Sequence, residues 1–164
     1  MKLLQGDCLE LMKTVPDGSV DMVLTDPPYG ATACKWDSVI PFEPMWAQLN
    51  RVTKKNGAIV MTANQPFTSA LVMSNVKMFK YEWIWEKTKS GSPFLAKYQP
   101  MRKHENVLVF SNGGGATDYN PQMTKGAAPY ERKRKASDSY ARNDHSYGAK
   151  GGVVSKNNGD RYPV

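Results

Sequence analysis

The chain has few of the residues that build covalent or metal-stapled frameworks: two cysteines, Cys8 and Cys34, and two histidines in 164 residues. Neither cysteine stands in a CxxC pair or beside a histidine cluster, so neither a zinc site nor a disulfide framework is suggested, and a reducing cytoplasm fits. No apolar run approaches the roughly 20 residues that a membrane helix requires. Met1 to Lys13 is not expected to be a signal peptide, because Asp7 and Glu10 interrupt what would have to be its apolar core. Together these absences lead us to expect a soluble protein with no membrane partner. Strong hydrophobic runs are missing after Ser111, where Gly, Asn, Ser, Lys, Arg and Tyr dominate.

What is present in excess is positive charge: +7 with a pI near 9.4. Lys and Arg that neutralise phosphates gain affinity through counterion release, so nucleic acid is the leading candidate partner. The excess is concentrated from Lys125 onward, with Arg132, Lys133, Arg134, Lys135, Arg142, Lys150, Lys156 and Arg161 set against Glu131, Asp138, Asp144 and Asp160. Tyr119, Tyr130, Tyr140, Tyr147 and Tyr162 are interleaved there, a combination that can join phosphate contacts to base stacking. The same composition suits a solvated basic tail.

The front of the chain alternates strand and helix signals. Lys2–Gln5 reads as a short strand that ends at Gly6-Asp7-Cys8 and turns into a helix from about Leu9 to Thr14. Pro16-Asp17-Gly18 is a turn, and Val20–Thr25 is a near-continuous apolar run of the kind found in buried parallel strands. Met45, Trp46, Leu49 and Val52 recur at helical spacing, with a stop expected near Lys55-Asn56-Gly57. Ala58–Thr62 is the next buried strand, and Phe67, Leu71 and Val72 mark a helix behind Pro66 that ends around Lys77. Tyr81–Glu86 and Asn106–Phe110 read as two further strands joined by a polar loop. The pattern is that of an α/β sheet with crossover helices.

The second strand delivers Asp26-Pro27-Pro28-Tyr29 at its carboxyl end, which is where open α/β sheets bind ligands. A rigid Pro-Pro turn with a capping Asp is the plainer explanation of this tetrapeptide. Its setting goes further. With Gly6-Asp7-Cys8, Pro16-Asp17-Gly18-Ser19-Val20-Asp21, Thr25 to Gly30, Lys54-Lys55-Asn56-Gly57-Ala58 and Arg102 to Phe110, the chain resembles the DNA amino-methyltransferases over residues 3 to 111. The group it resembles carries the catalytic motif near the amino terminus and the cofactor glycine motif late.

That resemblance implies a Rossmann-like fold dependent on S-adenosylmethionine, with 1–111 a partial catalytic domain and 112–164 a basic, loosely structured target-recognition region or tail. It implies double-stranded DNA as the partner, in the cytoplasm of a bacterial or phage-infected cell. It places Asp26, Pro27, Pro28 and Tyr29 in catalysis, and Asp7, Cys8 and Asp26 beside the cofactor. Asp7 equally suits a helix cap. Lys35 and Trp36 in the following loop, and Arg102 ahead of the last strand, are candidates for substrate contact. Trp36 is also a candidate core anchor, and Arg102, with Lys97, Tyr98, Lys103 and His104, also reads as an ordinary charged loop.

The chemistry agrees with the resemblance. An exocyclic amine is a poor nucleophile because its lone pair is delocalised into the ring. A carboxylate and a proline-held carbonyl that accept its two N–H bonds favour a tetrahedral nitrogen. The base must leave the stack to be reached, and Tyr29 offers an aromatic face for it. The resemblance implies adenine N6 rather than cytosine N4 as the target, because Asp26 stands at the first position of the tetrapeptide, where the related cytosine enzymes more often carry Ser. The Phe-x-Gly-x-Gly-like turn expected after Val164 lies outside the sequence, and Gly113-Gly114-Gly115 is no substitute for it. The expected consequences are weak cofactor affinity, an unpaired strand at Leu3–Gln5 and association through an uncovered apolar surface, such as a homodimer. An inactive DNA-binding remnant and an RNA-directed enzyme are the competing readings.

Overall fold

Val20–Thr25 forms β1 and lies parallel to β2, Thr53–Ala63, in a computed structural model that describes residues 1–91, 93–113, 117, 120–126, 130–134, 153–157 and 160–161. A parallel pair needs a crossover, and α2, Phe42–Val52, supplies it. Its buried residues are Met45, Trp46, Leu49 and Val52, the set that the helical spacing predicts. From β2 the chain passes through α3, Phe67–Ser74, to β3, Phe79–Glu86. A hairpin then leads to β4, His104–Phe110, which enters between β2 and β3 and runs antiparallel to both. The sheet order is β1-β2-β4-β3. The carboxyl ends of β1, β2 and β3 therefore share one edge with the amino end of β4.

Side chains alternate across a sheet, and the alternation assigns this one's residues to two faces, with Val60 and Val109 buried on the face away from the helices. Ile59, Met61 and Ala63 of β2 and Leu108 and Phe110 of β4 share one buried cluster with Trp46, Leu49, Phe67 and Leu71 from α2 and α3. Trp46 tilts against Phe110 at 4.9 Å between ring centroids, and its indole N–H donates to Ser74 Oγ at 2.8 Å. The other face carries Met22 and Leu24 from β1, Val60 and Thr62 from β2, Glu105, Val107 and Val109 from β4, and Trp83 and Trp85 from β3. Met22 is 56% exposed, Leu24 67%, Trp83 47% and Trp85 53%.

Three elements differ from expectation. Residues 1–5 form no strand, and Leu3 and Leu4 are exposed. A strand is stabilised by its neighbours, and among the described residues none lies beside this segment or along the outer edge of β1. The second helix stops at Val52 rather than near Gly57, because β2 begins at Thr53. Val20 pairs with Thr53 while Met22 pairs with Ala58, so Lys54–Gly57 is an insertion that bulges out of the ladder. There Gly57 sits so close to its neighbours that an added Cβ would lie 2.6 Å from the Asp21 carbonyl oxygen. The third helix ends at Ser74, short of Lys77.

The helix from Cys8 to Met12, α1, is a single turn whose end is clamped. The Arg51 guanidinium donates to the carbonyls of Met12 at 2.6 Å and Val15 at 2.9 Å and also holds Asp17. By contacts the chain divides into Met1–Asp118 and Tyr119–Val164. In the second unit β5, Thr124–Lys125, pairs with β8, Asp160–Arg161, and β6, Tyr130–Arg134, pairs with β7, Val153–Asn157. The composition gave no sign of these ladders. Lys135, Arg142, Lys150, Tyr119, Tyr140, Tyr147 and Tyr162 lie outside the described residues.

Candidate active site

The carboxyl end of β1 brings Asp26 into reach of β2. Its Oδ1 accepts a hydrogen bond from the Tyr29 hydroxyl at 2.6 Å and another from the Thr62 hydroxyl. The two hydroxyls are themselves 2.9 Å apart, so two protons serve three oxygens. Burial raises the Tyr29 phenol well above its ordinary range, and the bond to Asp26 raises it further, so it stays a donor. Oδ2 of Asp26 makes no hydrogen bond among the described residues, and the side chain is exposed. One oxygen is thus fixed and the other is open to an incoming donor.

Packing sets the tetrapeptide from behind. Pro27 is buried, and the Tyr29 ring stacks on Phe67 of α3 at 5.2 Å with 26° between planes. One face of the tyrosine is therefore taken by the protein. The loop that follows is closed by Asp37, only 8% exposed, whose carboxylate accepts from the Gly30 N–H at 2.9 Å and the Thr32 N–H at 2.7 Å. The hydrogen bond with the Thr32 side chain, then the backbone N–H groups, hold its pKa below the ordinary carboxylate range. Gly30 has φ of +68°, a left-handed conformation that glycine adopts without strain.

The other sequence-predicted residues are more scattered. Trp36 is 74% exposed, which excludes it as a core anchor, and Lys35 beside it is exposed too. Asp7 caps α1, its Oδ1 accepting from the Leu9 N–H at 2.8 Å, and Cys8 is exposed. Neither is hydrogen-bonded to the tetrapeptide among the described residues. Arg102 is exposed, and among the described residues its side chain reaches only the Gln65 carbonyl, at 3.4 Å.

Sequence reasoning missed Thr62, Phe67, Asp37 and Glu105. Thr62 was open to detection: if Ile59, Met61 and Ala63 face the helices, Thr62 faces the other way at the end of the strand beside the tetrapeptide. Asn64 continues that side of the strand and donates to Glu105 Oε1 at 3.2 Å, and Lys87 pairs with the same oxygen. Lys87 also lies 5.6 Å from the centre of the Trp85 ring. Among the described residues no group of His, Cys, Asp or Glu is placed to hold a metal ion, and no helix is long and apolar enough to cross a membrane.

Comparison with known proteins supplies the family. A family model for DNA methylases of the N6/N4 type matches residues 20–161. The DNA adenine methyltransferase YhdJ of Escherichia coli K12 is 31% identical over 120 residues, 65% of this chain and 40% of that protein. Among solved structures, a complex of M1.HpyAVI with S-adenosylmethionine superposes with a TM-score of 0.54 at 17% identity, over 76% of this chain and 60% of the other. The cytosine-N4-specific PvuII DNA methyltransferase gives 0.53 at 17% identity, over 73% and 50%. These two likenesses establish the α/β fold with its mixed sheet. The chain spans between about a third and a half of the curated relatives it matches, at 31%, 52% and 40% of their lengths. The matched span takes in most of the chain, so this protein belongs to the DNA amino-methyltransferase family, whose cofactor is S-adenosylmethionine.

Proposed function

We propose that the chain carries the base-binding and catalytic part of an adenine-N6 DNA methyltransferase. The observation that carries this reading is the Asp26 carboxylate at the lip of the sheet, with Oδ1 fixed by Thr62 and Tyr29 and Oδ2 open. An extruded adenine presents its amino group to Oδ2 and to the Pro27 carbonyl, which its buried ring holds in place. Accepting both N–H bonds directs the nitrogen lone pair out of the ring plane. The cofactor supplies an electrophilic methyl group. The amino nitrogen would take that methyl group in exchange for one N–H proton, which Asp26 would accept and pass to water. Tyr29, backed by Phe67, leaves its other ring face for the base.

The residues present fit one side of S-adenosylmethionine. Asp7 commits Oδ1 to the Leu9 N–H and keeps Oδ2 for a hydroxyl of the adenosine moiety, with Cys8 exposed beside it. Asp26 serves the methionine end. In this assignment 1–111 does the chemistry, 112–164 reads the target, and Lys35, Trp36 and Arg102 touch DNA. The decisive experiment incubates the chain with unmodified duplex DNA and labelled cofactor and identifies the modified nucleoside. We expect N6-methyladenine, with loss of signal in Asp26→Ala; N4-methylcytosine would replace adenine as the target.

A second reading, DNA binding without methyl transfer, is favoured by the open outer edge of β1 and the exposed Leu3 and Leu4. It requires salt-sensitive DNA binding that survives Asp26→Ala and no methylated product under any condition.

A further inference from the structure

At the edge of the sheet where β2 and β3 end and β4 begins lies a groove of about 520 Å³. Its position follows from strand geometry. Thr62, which holds Asp26, and Asn64, which lines the groove, are two residues apart on one side of the chain, a step of about 7 Å along a strand. The β3–β4 hairpin brings the remaining lining residues to the same edge. They include Lys87, Gln99, Arg102, His104 and Glu105.

The lining has a definite chemistry. Lys87 is held from two sides, by the Glu105 carboxylate and by the Trp85 ring, and Glu105 is itself fixed by Asn64. An ammonium set in this way keeps hydrogen-bond donors for a ligand while its position is fixed in advance. Arg102 on the rim makes only a long contact with the Gln65 carbonyl, so its planar fork of donors is almost uncommitted. Two cations against one carboxylate leave a net positive groove with amides at its margin. That combination suits a phosphodiester, which Arg meets through two N–H groups and Lys meets as a point charge.

We propose that this groove seats the phosphodiester of the DNA strand adjoining the extruded base, with Arg102 and Lys87 as the contacts and Glu105 as the positioning residue for Lys87. The assignment rests on the reading of Asp26 as the site that receives the base. Phosphate contacts fix register and orientation without reading sequence. The groove thereby anchors the backbone at the point where a nucleotide must swing out, and target choice is left to other parts of the chain.

The test measures affinity of the full chain for a fluorescently labelled DNA duplex across a salt series by anisotropy. Each neutralised phosphate contributes about 0.9 to the slope of log affinity against log salt. Arg102→Met is expected to lower the slope by about that amount, Arg102→Lys to retain it, and Lys87→Met made together with Glu105→Gln to lower it by a similar step. The double change removes both members of the pair and so avoids leaving a lone carboxylate. Circular dichroism confirms folding of each variant. An unchanged slope in Arg102→Met overturns the proposal, as does absence of duplex binding by the parent chain. A change seen with a structured RNA of equal length but not with the duplex overturns the assignment to DNA. The methylation assay on the same preparations separates this failure from that of the reaction: product formed with no slope change in Arg102→Met sinks the groove alone, whereas a slope change without product sinks the chemistry alone.

Discussion

The two faces of the sheet are made from the same strands and have opposite fates. On one, Ile59, Met61, Leu108 and Phe110 are fully sealed beneath α2 and α3. On the other, Met22, Leu24, Trp83 and Trp85 stay open to solvent, and Thr62, Asn64 and Glu105 carry polar groups toward the site and the groove. The comparison teaches that stability and chemistry are separated by strand alternation. Residues at one parity pack against the helices, whereas their neighbours in sequence combine the buried Val60 and Val109 with the exposed or polar side chains of the site.

The strongest way to break this division is to truncate one buried side chain. Leu71→Ala removes a fully enclosed leucine from α3 and is expected to cost about 2–5 kcal/mol, the range for Leu-to-Ala changes in cores. Urea denaturation measures it. A loss below about 0.5 kcal/mol, as for an ordinary surface position, would show that the helix-covered face is not the stabilising one.

Next in size is Gly57→Ala. Its Cβ would sit 2.6 Å from the Asp21 carbonyl oxygen and 2.7 Å from Thr53 Cγ2, so the bulge must open to admit it. We expect a cost of about 1–3 kcal/mol, as for other overpacked sites. Because Asp21 is in β1 and Thr53 begins β2, the change loosens the pairing that brings Asp26 to Thr62. Methyl transfer should fall with stability. Full stability together with full activity would mean that the register at Val20 and Met22 is not what positions the site.

How far the sequence foretold this arrangement depends on the range of the forces involved. The elements β1, α2 and β4 were legible because a continuous apolar run or a helical repeat marks each of them, but the burial expected of Val20–Thr25 is not met, since no residue of β1 is buried and Met22 and Leu24 are exposed at the edge of the sheet. The apolar stretch at Lys2–Gln5 was misleading, since a strand also needs a neighbour and the described residues provide none. Lys55-Asn56-Gly57 resembles a helix end, yet Gly57 is there for a close approach between strands. The tetrapeptide was visible at once, but its supports were not. Thr62 and Glu105 act across strands, and Asp37 acts by gathering backbone N–H groups within a loop, an arrangement with no periodic trace. The paired ladders of the second unit join segments 19 and 35 residues apart, Arg134 to Val153 and Lys125 to Asp160, from a composition that promised none.

The Asp37 loop offers a pH-dependent probe at the boundary between the faces, where Tyr29, Ile40 and Phe42 return to the covered core. Its folded-state pKa lies below the ordinary 3.8, so the stabilisation is fully present above that value and is lost as pH falls through the lower, folded one. A denaturation midpoint followed from pH 6 downward should drop through that acidic window, and Asp37→Asn should flatten this part of the curve. A variant with the same acid limb as the parent would show that the limb belongs to other carboxylates.

The smallest effect on stability is expected where the open face is made polar. Met22 and Leu24 are more than half exposed, so replacing both with Thr, a good strand former, should change the unfolding free energy by no more than about 0.5 kcal/mol. The change should appear in association instead. An open strand edge beside exposed apolar side chains favours contact between chains, and sedimentation of the parent against the Met22→Thr, Leu24→Thr variant reads that directly. If the doubly substituted chain unfolds as readily as Leu71→Ala, then β1 is packed on both sides and the asymmetry between the faces is lost. If stability holds while self-association falls, the open face is a binding surface in the same physical sense that the covered one is a core.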